Sequence, residues 1–195
     1  PCSPYLPGRG PGSTWGSRCS REPCLLARVQ TFLPYPGFEE SARALDLKRL
    51  GKQRVECIQV IRGLTWPGYG WRHHPAVKMW RGHEEALGRY SLTCCEVWTE
   101  LGFADTCAGT IRADLAGFGI TEVRSQDELR RAGALPPWLG REDFHRSHRS
   151  SLLRKDPTFY GPRFSDVPDD LPYVWPAASP AASGDAEKDG ATRAG

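Results

Sequence analysis

Apolar and polar positions alternate along this chain mostly with a helical period. From 38 to 63 the repeat is long and interrupted only by Gly51, which predicts a first long helix with Glu39 and Glu40 in its opening turn. Leu47, Leu50, Arg54, Cys57, Ile58 and Ile61 fall on one face, and Arg49, Lys52, Glu56 and Gln59 on another. A mid-helix glycine disfavours the helix by about 1 kcal/mol against alanine, so Gly51 is expected to mark a close approach to the backbone. A second helix is expected over 75–101, opened by Pro75, with Val77, Trp80, Glu84, Leu87, Ser91, Cys94, Trp98 and Leu101 as its core stripe. Segment 102–122 carries a weaker helical pattern, and Ser125 with Glu128 spells a capping box. A further helix is predicted over 141–155.

The remaining segments lack that period. Residues 29–33, VQTFL, form a short apolar piece before the turn at Pro34-Tyr35-Pro36-Gly37. TWPGYGWRHHP reads as an aromatic loop. Residues 157–176 are aromatic and irregular, and are expected to wrap over the helices and bury Phe159, Tyr160, Phe164, Tyr173 and Trp175. Residues 1–28 and 177–195 are rich in Pro, Gly, Ser and Ala and are expected to be disordered. The fold expected is mainly α: one compact helical domain over 29–176 with disordered ends. Val29, whose codon can serve as a bacterial start, is the expected beginning of the natural protein.

Charge sharpens this picture. The net charge is only +3, but 43–54 holds five basic residues and one acid, and 141–155 holds five basic residues, two acids and two histidines. Such clustering permits a basic face on a nearly neutral protein. Seven cysteines with no CxxC spacing are expected to be reduced thiols in a cytoplasmic protein. No apolar run approaches the ~20 residues of a membrane span.

Glu56 is a single carboxylate among Arg49, Lys52 and Arg54. That pattern suits either a solvated ion-pair ladder or an acid/base group on a face made for a polyanion. His145 and His148 are one turn apart and His73 and His74 adjacent, but no carboxylate stands in a metal-binding register with either pair, so hydrogen bonds to phosphate, backbone or water are expected and no metal or other cofactor. No phosphate-cradling glycine loop or hydrolase elbow is present. Trp80 and Trp98 suit the core, and Trp66 and Trp71 suit stacking on a flat ligand. An anionic substrate with planar groups satisfies these features together. It is open at this point to a nucleic-acid-binding protein without catalysis, an enzyme on a small anionic substrate, or a nucleic-acid enzyme.

The order QTFLPYP, LGKQRVE, WRHHPAVKMW, FHRSHRSSLLRKDPTFY resembles the pyrimidine-dimer DNA glycosylases, the family of phage endonuclease V, in an actinobacterial-type branch. The resemblance covers 29–176. It implies a compact, mostly helical enzyme that excises pyrimidine dimers from damaged double-stranded DNA and then nicks the abasic site. In that family an N-terminal α-amine attacks the sugar C1′ to form an imine, assisted by a glutamate in the first long helix. Glu56 in QRVE matches that glutamate, and Lys52 and Arg54 would contact phosphate. Arg72, His73, His74, His145, Arg146, His148 and Arg149 would extend the DNA-binding face, and the protein is expected to act as a monomer. The departure lies at the amine: 28 residues precede Val29, and Gln30 and Thr31 follow it. Lys52 is a second amine able to form an imine.

Overall fold

Asp46 restarts the helix that begins at Phe38. The computed structural model describes residues 29–176, and the expected disorder of 1–28 and 177–195 lies outside them. Within the described residues there are eight helices and no strand. The predicted first helix is two: α1 (Phe38–Ala44) and α2 (Leu47–Thr65). Asp46 caps α2 by accepting from the Arg49 amide at 3.1 Å, and its own amide donates to the Tyr160 hydroxyl, also at 3.1 Å. A side chain that satisfies the first orphan amides of a helix defines a start even inside a run of good helix formers.

The predicted second helix also divides, into α3 (Pro75–Trp80) and α4 (Glu84–Glu100). Gly82 stands between them at φ +82°, a left-handed conformation that favours glycine. Its amide donates to the Glu84 carboxylate at 2.9 Å, so Glu84 opens α4 rather than sitting in a core stripe. The weak pattern after 102 resolves into α5 (Cys107–Gly117), and the Ser125–Glu128 capping box opens α6 (Gln126–Arg131) as expected. α7 (Glu142–Lys155) and the short α8 (Pro157–Tyr160) complete the set.

α2 and α4 pack together, with α1 against α4 and α5 against both. The close approach foreseen at Gly51 is Trp98: a Cβ there would lie 3.2 Å from the indole. The aromatic wrap is present, with Tyr160 and Phe164 fully buried and Phe159, Tyr173 and Trp175 half-buried against the core.

At the centre lies 29–34, which has no regular secondary structure and is buried throughout. Buried backbone polar groups need partners, and here side chains from several helices supply them. Gln53 of α2 accepts from the Phe32 amide at 2.9 Å and donates to the Gln30 carbonyl at 2.8 Å. Tyr90 of α4 donates to the Phe32 carbonyl at 2.5 Å. His148 accepts from the Leu33 amide at 2.9 Å through Nδ1, while His145 Nδ1 donates to the Leu33 carbonyl at 2.8 Å. Arg149 donates to the Pro34 carbonyl at 2.9 Å, and the Trp80 indole donates to the Thr31 hydroxyl, also at 2.9 Å.

Candidate active site

This pinned segment points its first residues at Glu56. Gln30 and Glu56 line one cleft, where the Gln30 backbone amide lies near enough to favour the charged carboxylate, and Lys52 lies one turn back with Nζ 3.2 Å from Oε1. Glu56 is buried, whereas the Lys52 side chain is exposed. Together with Phe32, Lys48, Arg49 and Lys155, these residues line a cleft of about 190 Å³. Four cations thus surround one carboxylate. Lys155, from the end of α7, lies with Nζ 5.5 Å from the Phe32 ring centroid.

Burial pushes the Glu56 carboxyl above the ordinary carboxylate value, and the charges of Lys52 and Lys155 and the Gln30 amide offset that only in part. By helical spacing Lys52 and Arg49 both fall on the Glu56 face. Arg49 instead turns to Asp46 at 2.6 Å, with Asp156 at 3.7 Å. Tyr160 donates to the same Asp46 carboxylate at 2.6 Å, so the C-terminal region fixes Arg49 at the cleft rim. Tyr173 also comes close to Glu56: burial raises its phenol pKa, and the carboxylate charge adds to that rise.

The expected basic residues divide sharply. Lys52 belongs to the cleft, and Arg72 and His73 are exposed in the aromatic loop. Arg146 is half-buried near the Asp166 carbonyl. His145 and His148 are wholly buried, and burial holds both imidazoles below their ordinary pKa. They hold the backbone of 29–34 and face no solvent, so they do not join a basic surface. Of the partners expected for histidine, backbone is the one found. Arg149 is buried as well, paired with Glu142 and bonded to Pro34. His74 caps α3 through Nδ1, accepting from the Ala76 amide at 3.1 Å between the rings of Trp71 and Trp175.

Arg54 is turned inward too. It pairs with Asp105, whose side chain is 4% exposed, and lies 4.0 Å over the Trp98 ring. Removing one partner of such a pair leaves a buried charge uncompensated. Arg54→Ala is therefore expected to lower stability by about 3–5 kcal/mol in urea unfolding. The salt slope of DNA binding by the folded fraction should stay unchanged. A slope flatter by about one unit would restore Arg54 as a phosphate contact.

Sequence reasoning missed Lys48, Lys155, Phe32 and Gln53. Lys48 was legible, one turn before Lys52 on the same stripe of α2. The others come together only in three dimensions. The four described cysteines, Cys57, Cys94, Cys95 and Cys107, are free thiols. Among the described residues no three His, Cys, Asp or Glu side chains converge as metal ligands, and no helix is long and apolar enough to cross a membrane.

Fold and cleft together define a small helical protein with a buried carboxylate in an electropositive pocket. Residues 29–109 match the sequence profile of the family described as pyrimidine dimer DNA glycosylase. The matched stretch holds QTFLPYP, LGKQRVE and WRHHPAVKMW, and with them Glu56, Lys52 and the pinned segment. Lys155 and the aromatic wrap lie beyond it. No curated protein and no solved structure matches the chain.

Proposed function

We propose that this protein is a DNA glycosylase with abasic-site lyase activity, acting on pyrimidine dimers or related base damage in double-stranded DNA through an imine. The observation that carries this reading is the placement of the Gln30 backbone nitrogen beside the buried Glu56 carboxylate, in a cleft with four cations. A chain whose first residue is Gln30 would present its α-amine at that nitrogen. The amine lone pair attacks C1′ of the damaged nucleotide, and the bond to the base breaks with its electron pair leaving on the base. The nitrogen loses a proton to Glu56, and its lone pair then breaks the C1′–O4′ bond, the ring oxygen taking up a proton, to give the ring-opened imine. Removal of a C2′ proton then expels the 3′ phosphate, and water releases the sugar from the amine. Lys48, Lys52, Arg49 and Lys155 would hold the flanking phosphates and favour the developing charges. Glu56 suits proton transfer because burial brings its pKa closer to neutrality.

Borohydride trapping on abasic duplex DNA tests the reading, using the full chain, a chain beginning at Gln30, and the latter with Lys52→Arg. The chain beginning at Gln30 is expected to form a covalent adduct with or without Lys52. Trapping that disappears with Lys52→Arg would move the imine to Lys52. No adduct from any form, with duplex binding intact, would overturn the catalytic reading in favour of a binding protein.

A further inference from the structure

A second cleft opens at the far end of α2, with a volume of about 430 Å³. Its walls include Trp66, Phe118, Thr65, Arg72 and Arg81, and among the described residues no carboxylate lines it. Trp66 is 45% exposed and Phe118 48%, which for two large aromatic side chains facing one cleft points to a ligand. Trp66 is held in place: the Arg62 guanidinium lies 4.5 Å over its ring and donates to Asp114 at 2.7 Å, and Tyr69 meets it edge-on at 6.1 Å.

The position of this cleft relative to the first follows from helical register. At ~100° per residue, Lys48, Lys52, Gln59 and Trp66 fall within about 40° of one another, so one stripe of α2 runs from the catalytic cleft to the aromatic one. Ten residues separate Glu56 from Trp66 in sequence, or ~15 Å along the axis at 1.5 Å per residue. That distance is about four nucleotides at the ~3.4 Å spacing of one strand of a duplex.

We infer that this second cleft binds an unpaired nucleotide, with its base on Trp66 and Phe118 and its phosphate on Arg72 and Arg81. The base must be unpaired because an aromatic side chain stacks on a base face only when that face has left its neighbours. The arginines supply the sequence-independent anchoring that phosphates receive from basic side chains. The location of the site rests on the nucleic-acid reading above. Its chemistry, a planar base joined to an anion, fits a nucleotide of the strand or a free mononucleotide equally.

The test uses the full chain and a duplex carrying a tetrahydrofuran abasic-site mimic. A second version of the duplex leaves about four to eight nucleotides beyond the mimic unpaired, on each side in turn. One unpaired flank is expected to tighten binding about tenfold at fixed salt, within the range of a single base–aromatic stack. Trp66→Ala is expected to remove that gain while leaving affinity for the paired duplex unchanged, with circular dichroism reporting the fold of the variant. Absence of any gain, or a gain that survives Trp66→Ala, overturns the proposal. Deoxyadenosine monophosphate is the second probe. Tryptophan quenching by it that is lost in Trp66→Ala, without any gain from a flank, assigns the same site to a free nucleotide. Borohydride trapping by the chain beginning at Gln30, on a paired duplex with a natural abasic site in place of the mimic, reports on the glycosylase reading independently. Trapping without a flank effect removes only the second cleft, and a flank effect without trapping removes only the glycosylase reading.

Discussion

Glu56→Gln is expected to lower base excision by about 10²–10⁴-fold while duplex binding holds or tightens. Glutamine keeps the shape and the capacity to accept a hydrogen bond, but it cannot take a proton from an attacking amine. Among the described residues it also removes the one carboxylate lining a cleft that holds four cations, which favours a phosphate backbone there. Stability should move the other way. The folded-state pKa of Glu56 is raised, so its contribution to stability is fully present below the unfolded value and is lost as pH rises through the folded value. Burial disfavours the charged form of Glu56 in the folded chain, so Glu56→Gln should be more stable than the parent at pH 7. The two should converge as pH falls below about 4.5, the ordinary glutamate value. Excision kinetics and urea unfolding on one preparation check both. A surface ion pair with Lys52 and no catalytic role predicts unchanged excision, and that outcome would sink the assignment.

Gln53→Leu is expected to cost both stability and activity. Gln53 is fully buried and holds 29–34 to α2 at two points, the Phe32 amide and the Gln30 carbonyl. Leucine fills much of the volume but leaves both backbone groups buried without partners, at about 1–3 kcal/mol each. Unfolding free energy should fall by about 2–5 kcal/mol on that basis. Excision measured on the folded fraction should fall as well, because the Gln30 nitrogen is no longer held against Glu56. Unchanged stability would show that Tyr90, His148, His145, Arg149 and Trp80 suffice to fix the segment. Lower stability with full specific activity would show that the placement of Gln30 does not matter to the chemistry.

The helical class was legible because its causes are local. Amphipathic spacing, the Pro75 start and the Ser125 capping box each act within a few residues. The breaks at Asp46 and Gly82 were not legible. A cap competes with helix continuation on small energy differences, and Tyr160, more than a hundred residues away, takes the Asp46 amide. Glu56 and Lys52 were legible as a pair, since i,i+4 spacing places them together on any helix.

The limit of the sequence shows in the basic residues. Charge and spacing are the same for an arginine that meets phosphate and one that meets a buried carboxylate. His145, His148, Arg149 and Arg54 therefore read as a DNA face. Segment 29–34 has no partner strand among the described residues, so its backbone groups are satisfied by side chains brought in from α2, α4 and α7. Which polar residues serve that need is set by contacts across up to 115 positions of sequence, which no local pattern records. By itself the sequence determined the helices, the Glu56–Lys52 pair and the family pattern of 29–109. Only the tertiary structure decided that Glu56 is buried, that Gln30 meets it, and that Lys155 joins it from the other end of the chain.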